Sequence, residues 1–127
     1  TLHTRIFLNK PLTGSKQEDI SAILQELQQG HCYISYDGLV SGAGVRFQTS
    51  DGHLMMGDEA AFEGPVNMDI QLPLKADLNI IHNGQTIAHH QTQNHTFQAE
   101  QPGVYRVEAR IQDSPWIYTN PIYLRAQ

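Results

Sequence analysis

The chain has a single cysteine, Cys32, in 127 residues, which excludes an internal disulfide and any CxxC zinc or redox pair. A chain without disulfides leans slightly toward the cytoplasm over the periplasm, but many exported proteins of this size also lack them, so localisation stays open. Basic residues are scarce: 8 Lys and Arg against 13 Asp and Glu give a formal charge of −5. No window gathers them into a phosphate-neutralising cluster, so nucleic acid is not an expected partner. Apolar runs are short as well. None exceeds three residues, as in Leu54-Met55-Met56, far below the roughly 18 to 20 that cross a bilayer, so no membrane partner is expected and the composition predicts a soluble chain. No basic-then-apolar leader opens the sequence, and its first residue is Thr1, so it reads as a piece of a longer protein.

Motifs that carry chemistry are equally sparse. There is no H-x-H, H-E-x-x-H or G-x-S-x-G. Asp51-Gly52-His53 has a D-x-H pattern, but Asp-Gly is a common turn dipeptide and no second ligand motif accompanies it. Gly42-Ala43-Gly44 lacks a following helix to aim at a phosphate and reads as a flexible loop. His89 and His90, as strand neighbours, point to opposite faces and cannot easily share an ion; the histidines read as surface residues, with His90 near Asp77. Asp58, Glu59 and Glu63 read as a solvated acidic loop. Cys32 reads as a buried, inert core thiol on the first strand after the helix.

What is present is a pattern of elements. Ser15 and Glu18 have capping-box spacing. Ile20, Ile23, Leu24 and Leu27 then recur at helical spacing, with Gln25, Glu26, Gln28 and Gln29 on the other side and Gly30 as the stop. The helix is expected to lay that stripe on a core. After Gly30 come short strands: Cys32 to Tyr36, Val45 to Gln48, and Val66 to Leu72 ending at Pro73. Asn83-Gly84 predicts a type I′ hairpin with Leu78 facing His89, Ile80 facing Ile87 and Asp77 facing His90, and with Leu78, Ile80 and Ile87 on the core side. Tyr105, Val107, Ala109 and Ile111 alternate with charged residues, and Gly103-Val104-Tyr105-Arg106-Val107 has the spacing of a tyrosine corner.

The expected fold class is therefore mainly β: an immunoglobulin-like antiparallel β-sandwich over 31–127, preceded over 1–30 by a strand and one amphipathic α-helix that pack on it. The C-terminal stretch Ser114 to Leu124 is the most distinctive, with Trp116, Tyr118 and Tyr123 between and beyond its two prolines. Trp116 and Tyr118 read first as core and domain packing at a strand that changes direction; if they are instead exposed, Trp116, Tyr118 and Asn120, with Tyr36 and Asp37, are the candidates for a docking or binding surface.

That ending, together with Pro102-Gly103-Val104-Tyr105-Arg106-Val107-Glu108, resembles the C-terminal region of the bacterial PHP-domain (polymerase-and-histidinol-phosphatase-like) metal-dependent hydrolases, especially their CehA-like branch. Thr4-Arg5-Ile6-Phe7-Leu8, Pro11-Leu12-Thr13-Gly14, the helix, and Leu27 to Asp37 resemble the segment that follows the catalytic domain there. The resemblance implies a parent phosphoesterase whose barrel holds a cluster of divalent metals. It also implies that this chain is a noncatalytic accessory domain without catalytic residues, metal or cofactor of its own, docked on the upstream catalytic domain of the same polypeptide. A glycan- or polymer-binding module using exposed aromatics is the alternative expectation, and a metalloenzyme built on the histidines is a third.

Overall fold

A computed structural model describes residues 2–8 and 10–127; Thr1 and Asn9 lie outside the described residues. The chain is mainly β with one helix. β1 (Leu2–Ile6) leads to α1 (Lys16–Gln28), and β2 (Cys32–Tyr36), β3 (Arg46–Thr49) and β4 (Glu59–Ala61) follow. Two long strands, β5 (Val66–His82) and β6 (Gln85–Ala99), precede β7 (Gly103–Ile111), β8 (Ser114–Thr119) and β9 (Ile122–Arg125). These strands form one hydrogen-bonded network in the order β1-β2-β8-β7-β5-β3, with β6 on β5 and β9 joining β7 to β4. Among the described residues only the β4–β9 pair is parallel.

β5 runs 17 residues because Pro73 does not end it, contrary to the sequence expectation. Its first half pairs β3 and its second half pairs β7, while β6 pairs both halves along the other side. The change of neighbour falls at the register shift between Gln71 and Ala76, where a proline that cannot donate to a ladder is tolerated. One core gathers Tyr33 from β2, Phe47 from β3, Met68, Ile70, Leu78 and Ile80 from both halves of β5, and Val107, Trp116 and Ile122 from the last strands. Strands far apart along the sheet thus meet on one apolar interior, so the sheet curls around it.

The hairpin turn forms as expected, with Asn83 at φ 50° and Gly84 at φ 82°, both left-handed as type I′ requires. Its register holds for two pairs, His82 with Gln85 and Ile81 with Thr86, and then slips by one. Leu78 therefore faces His90, Ile80 faces Ala88 and Asp77 faces Gln91. The physical cause is a bulge at Ile87, which turns this side chain outward at 53% exposure while Leu78 and Ile80 stay buried. His90 lies against His95, with ring centroids 4.0 Å apart and the planes tilted by 30°, and it is His89 that approaches Asp77.

In β2 the buried residues are Tyr33 and Ser35, so Cys32, Ile34 and Tyr36 face outward, the reverse of a buried Cys32. The inward side chains are held by polar bonds: the Tyr33 hydroxyl donates to the Gly42 carbonyl at 2.8 Å, and the Ser35 hydroxyl accepts from Arg5 Nε at 3.0 Å. Cys32 is half-buried; burial pushes its thiol up, against the opposing bond that Asn120 donates to Sγ.

On β7, Tyr105, Val107 and Ala109 are buried as their alternation predicts. The Tyr105 ring lies in the core, stacked on His82, and its hydroxyl donates to the Gln101 carbonyl at 2.7 Å. Tyr105→Phe should lower stability by about 0.5 to 1.5 kcal/mol. Tyr105→Ala should lower it by about 3 to 5 kcal/mol through the cavity it leaves, an order that denaturant midpoints will read directly.

Candidate functional site

Of the five surface candidates, the structure brings four to one end of the sheet. Tyr36 and Tyr118 meet edge to face at 6.1 Å. Tyr36 also lines a groove of about 430 Å³ with Leu39, Ile111, Pro115 and Trp116. Trp116 is 1% exposed and its indole N–H donates to the Val40 carbonyl at 3.1 Å, so the ring belongs to the core and only its edge floors the groove. Trp116 therefore leaves the list of surface candidates and takes the core-filling role that its sequence favoured, beside the buried Ile117. Asp37 sits beside the groove, paired with Arg5 and accepting from the Gly42 N–H. Burial opposes its ionisation, but bonds from Ser35, Gly42 and Arg5 outweigh that and hold its carboxyl below the usual value. Asn120 lies elsewhere, donating to the Gly30 carbonyl at 2.9 Å.

A second cluster escaped the sequence reading, and the end of α1 builds it. Gly30 adopts φ 74°; its N–H donates to Leu27 and the next N–H, of His31, donates to Glu26. This is the paired closure that a left-handed glycine gives a helix terminus. His31 is thereby folded back beside the helix, and its Nδ1 lies 2.5 Å from Glu26 Oε2. Its Nε2 lies 2.6 Å from Asp58 Oδ1, on the loop after β3. Asp58 is brought there by a backbone contact: a Cβ on Gly57, itself at φ 97°, would collide with the Gly30 carbonyl, so only glycine permits the two turns to touch. Met55 N–H fixes the other Asp58 oxygen at 2.9 Å.

This arrangement overturns the expected seat of the helix. Glu26, assigned to the wet side, is buried, whereas Ile20, Leu24 and Leu27 are 46%, 52% and 39% exposed. The side turned to the rest of the chain carries Asp19, Ala22, Ile23 and Glu26. The capping box is not made either. Ser15 is the N-cap without a side-chain bond, and Asp19 instead accepts from the Thr13 and Gly14 N–H groups and the Thr13 hydroxyl. The only sequence signal for the cluster was a Glu four residues before a helix-ending glycine with His directly after it.

Chemically, the cluster is a clamp. A neutral imidazole donates through one nitrogen, but both nitrogens here face carboxylate oxygens, so the charged form is the one that satisfies both. Burial works against that charge, yet the bonds and charges of Asp58 and Glu26 prevail and the His31 pKa is raised. With both nitrogens engaged, the ring has no free lone pair to act as a base or ligand. Among the described residues no group of three or more His, Cys, Asp and Glu is placed to hold a metal ion. Asp51-Gly52-His53 is a turn in which Asp51 accepts from the Thr49 hydroxyl and the His53 N–H.

A raised folded-state pKa fixes the sign of the pH dependence. The stabilisation from His31 is fully present below its ordinary value of 6.5 and is lost as pH rises through the raised value. His31→Asn should therefore lower stability by about 1.5 to 3 kcal/mol in mildly acidic buffer. The gap to the parent chain should narrow as pH is raised, which denaturation midpoints across a pH series will show.

Comparison of the chain with family models, with curated proteins and with solved structures finds no match.

Proposed function

We propose that this chain is a noncatalytic accessory domain with an immunoglobulin-like sandwich fold, and that it docks through α1 on a neighbouring catalytic domain of the same polypeptide. The observation that carries the reading is the seat of the helix. α1 is fastened by its polar side, through Glu26 and His31, and presents Ile20, Leu24 and Leu27 outward. Leu12, just before the helix, is exposed as well. An ordered apolar stripe in water is a cost that a partner surface would remove.

The sandwich reading draws support from the Tyr105 corner and from a sheet whose distant strands share one core. The choice of a PHP-type metal-dependent phosphoesterase as the parent rests on the sequence resemblance alone. In that reading the divalent metals and the hydrolytic step belong to the upstream barrel, and the domain described here supplies a docking surface.

A second reading, a glycan- or polymer-binding module, is favoured by the groove beside Tyr36. Its volume of about 430 Å³ suits a small ligand or a single sugar ring, and exposed Tyr36 and Leu39 give it an apolar rim. A soluble oligosaccharide that shifts the Tyr36 and Trp116 side-chain NMR signals would favour this reading over docking.

The docking proposal is tested by Leu24→Glu combined with Leu27→Glu. Both positions are exposed, so the isolated domain should keep its stability to within about 0.5 kcal/mol. In the full polypeptide, the domain should become separable from the catalytic unit by limited proteolysis where the parent protein resists. Equal resistance in the variant would place the docking surface elsewhere. The isolated chain should hydrolyse a generic phosphodiester with added manganese or zinc no faster than buffer does, and turnover lost on mutation of His53 or His89 would overturn the noncatalytic assignment.

A further inference from the structure

β6 is bonded along one side only. Its single partner is β5, and no backbone bond from a turn or loop reaches it among the described residues. One carbonyl of the strand, that of Asn94, is engaged locally, accepting from the Thr92 hydroxyl at 2.7 Å. The remaining outward N–H and C=O groups of this 15-residue strand form an open ladder.

Edges of this kind are ordinarily kept short, charged or covered. The other edges follow that rule. β1 has five residues and carries Arg5; β4 has three and carries Glu59; β3 has four, begins at Arg46, and is covered where Met56 N–H bonds Phe47 and Thr49 N–H bonds Leu54. β6 differs on every count. From Leu78 to Ala99 there is no Asp, Glu, Lys, Arg or Pro, although the whole chain holds 21 charged side chains, 13 acidic and 8 basic.

We propose that β6 pairs edge to edge and antiparallel with β6 of a second copy of this chain, forming a two-fold dimer with a sheet continuous across the axis. An antiparallel pair of identical strands is self-complementary, since each donor on one copy meets an acceptor on the other. Electrostatics select the same occupant. Two copies each carrying −5 repel wherever acidic surfaces meet, and β6 is the long edge that carries no acidic side chain of its own. The nearest carboxylates, Asp69 and Asp77 on β5, are already engaged by Thr96 and Gln91, so a charged peptide has no charged side chain on β6 itself to meet. Exposed Ile87 and the amides of Gln91 and Gln93 would lose water-facing area on pairing. The inference does not depend on the docking role of α1, which uses a different surface.

The test is sedimentation equilibrium of the intact chain over a concentration series, with amide exchange as a second readout. The expected result is a monomer–dimer equilibrium in which β6 amides gain protection as the dimer forms. Gln91→Lys with Gln93→Lys sets like charges near the two-fold axis. Each lysine can keep the local bond of the glutamine it replaces, to Asp77 or to the Pro73 carbonyl, so the fold is retained. This variant should weaken the dimer by about tenfold or more, while Leu24→Glu with Leu27→Glu leaves it intact. A chain that is monomeric at every concentration would overturn the proposal. So would a dimer that survives the lysines or dissolves on the helix substitutions, because the contact would then lie on another face.

Discussion

The fold depends on one strand serving two sets of neighbours. β5 gives its first half to β3 and its second half to β7, with β6 alongside both. That sharing requires a break in register, and the break contains Pro73, which has no N–H to offer a ladder. Because both halves send side chains inward, Met68 and Ile70 from one and Leu78 and Ile80 from the other, a single interior holds the curled sheet together. Trp116 and Tyr105 complete it, each with its polar end satisfied by a backbone carbonyl.

The helix is attached by a different kind of force. Hydrophobic burial secures the strands, whereas α1 is secured by a charged hydrogen-bonded bridge made possible by two touching glycines. Such a bridge responds to pH where an apolar contact would not. It is also directional, so it fixes which side of the helix faces in, even though that choice leaves leucines in water. The arrangement is costly for an isolated domain and reasonable for one whose outward helix face has another surface to meet.

Surface chemistry divides along similar lines. The groove beside Tyr36 is apolar and lies next to a neutralised Arg5–Asp37 pair. The β6 edge is polar, uncharged and rich in open backbone groups. The helix stripe is aliphatic. Three surfaces of different chemistry suit different contacts, and none of them competes for the same residues.

Local features were legible in the sequence because they depend on neighbours a few residues away: the helix and its glycine stop, the left-handed Asn83-Gly84 turn, the alternation of β7, and Tyr105 bonding back to Gln101. Those effects arise from backbone sterics and side-chain period, which any fold must respect. Tertiary structure decided what depends on distant partners. It chose the polar side of α1 over the apolar one through Asp58, 27 residues beyond His31. It turned Ser35 rather than Cys32 inward through Arg5, and it carried β5 past Pro73 because β3 and β7 wait on opposite halves. Periodicity states which residues share a face, but only the partner standing opposite determines which face is buried.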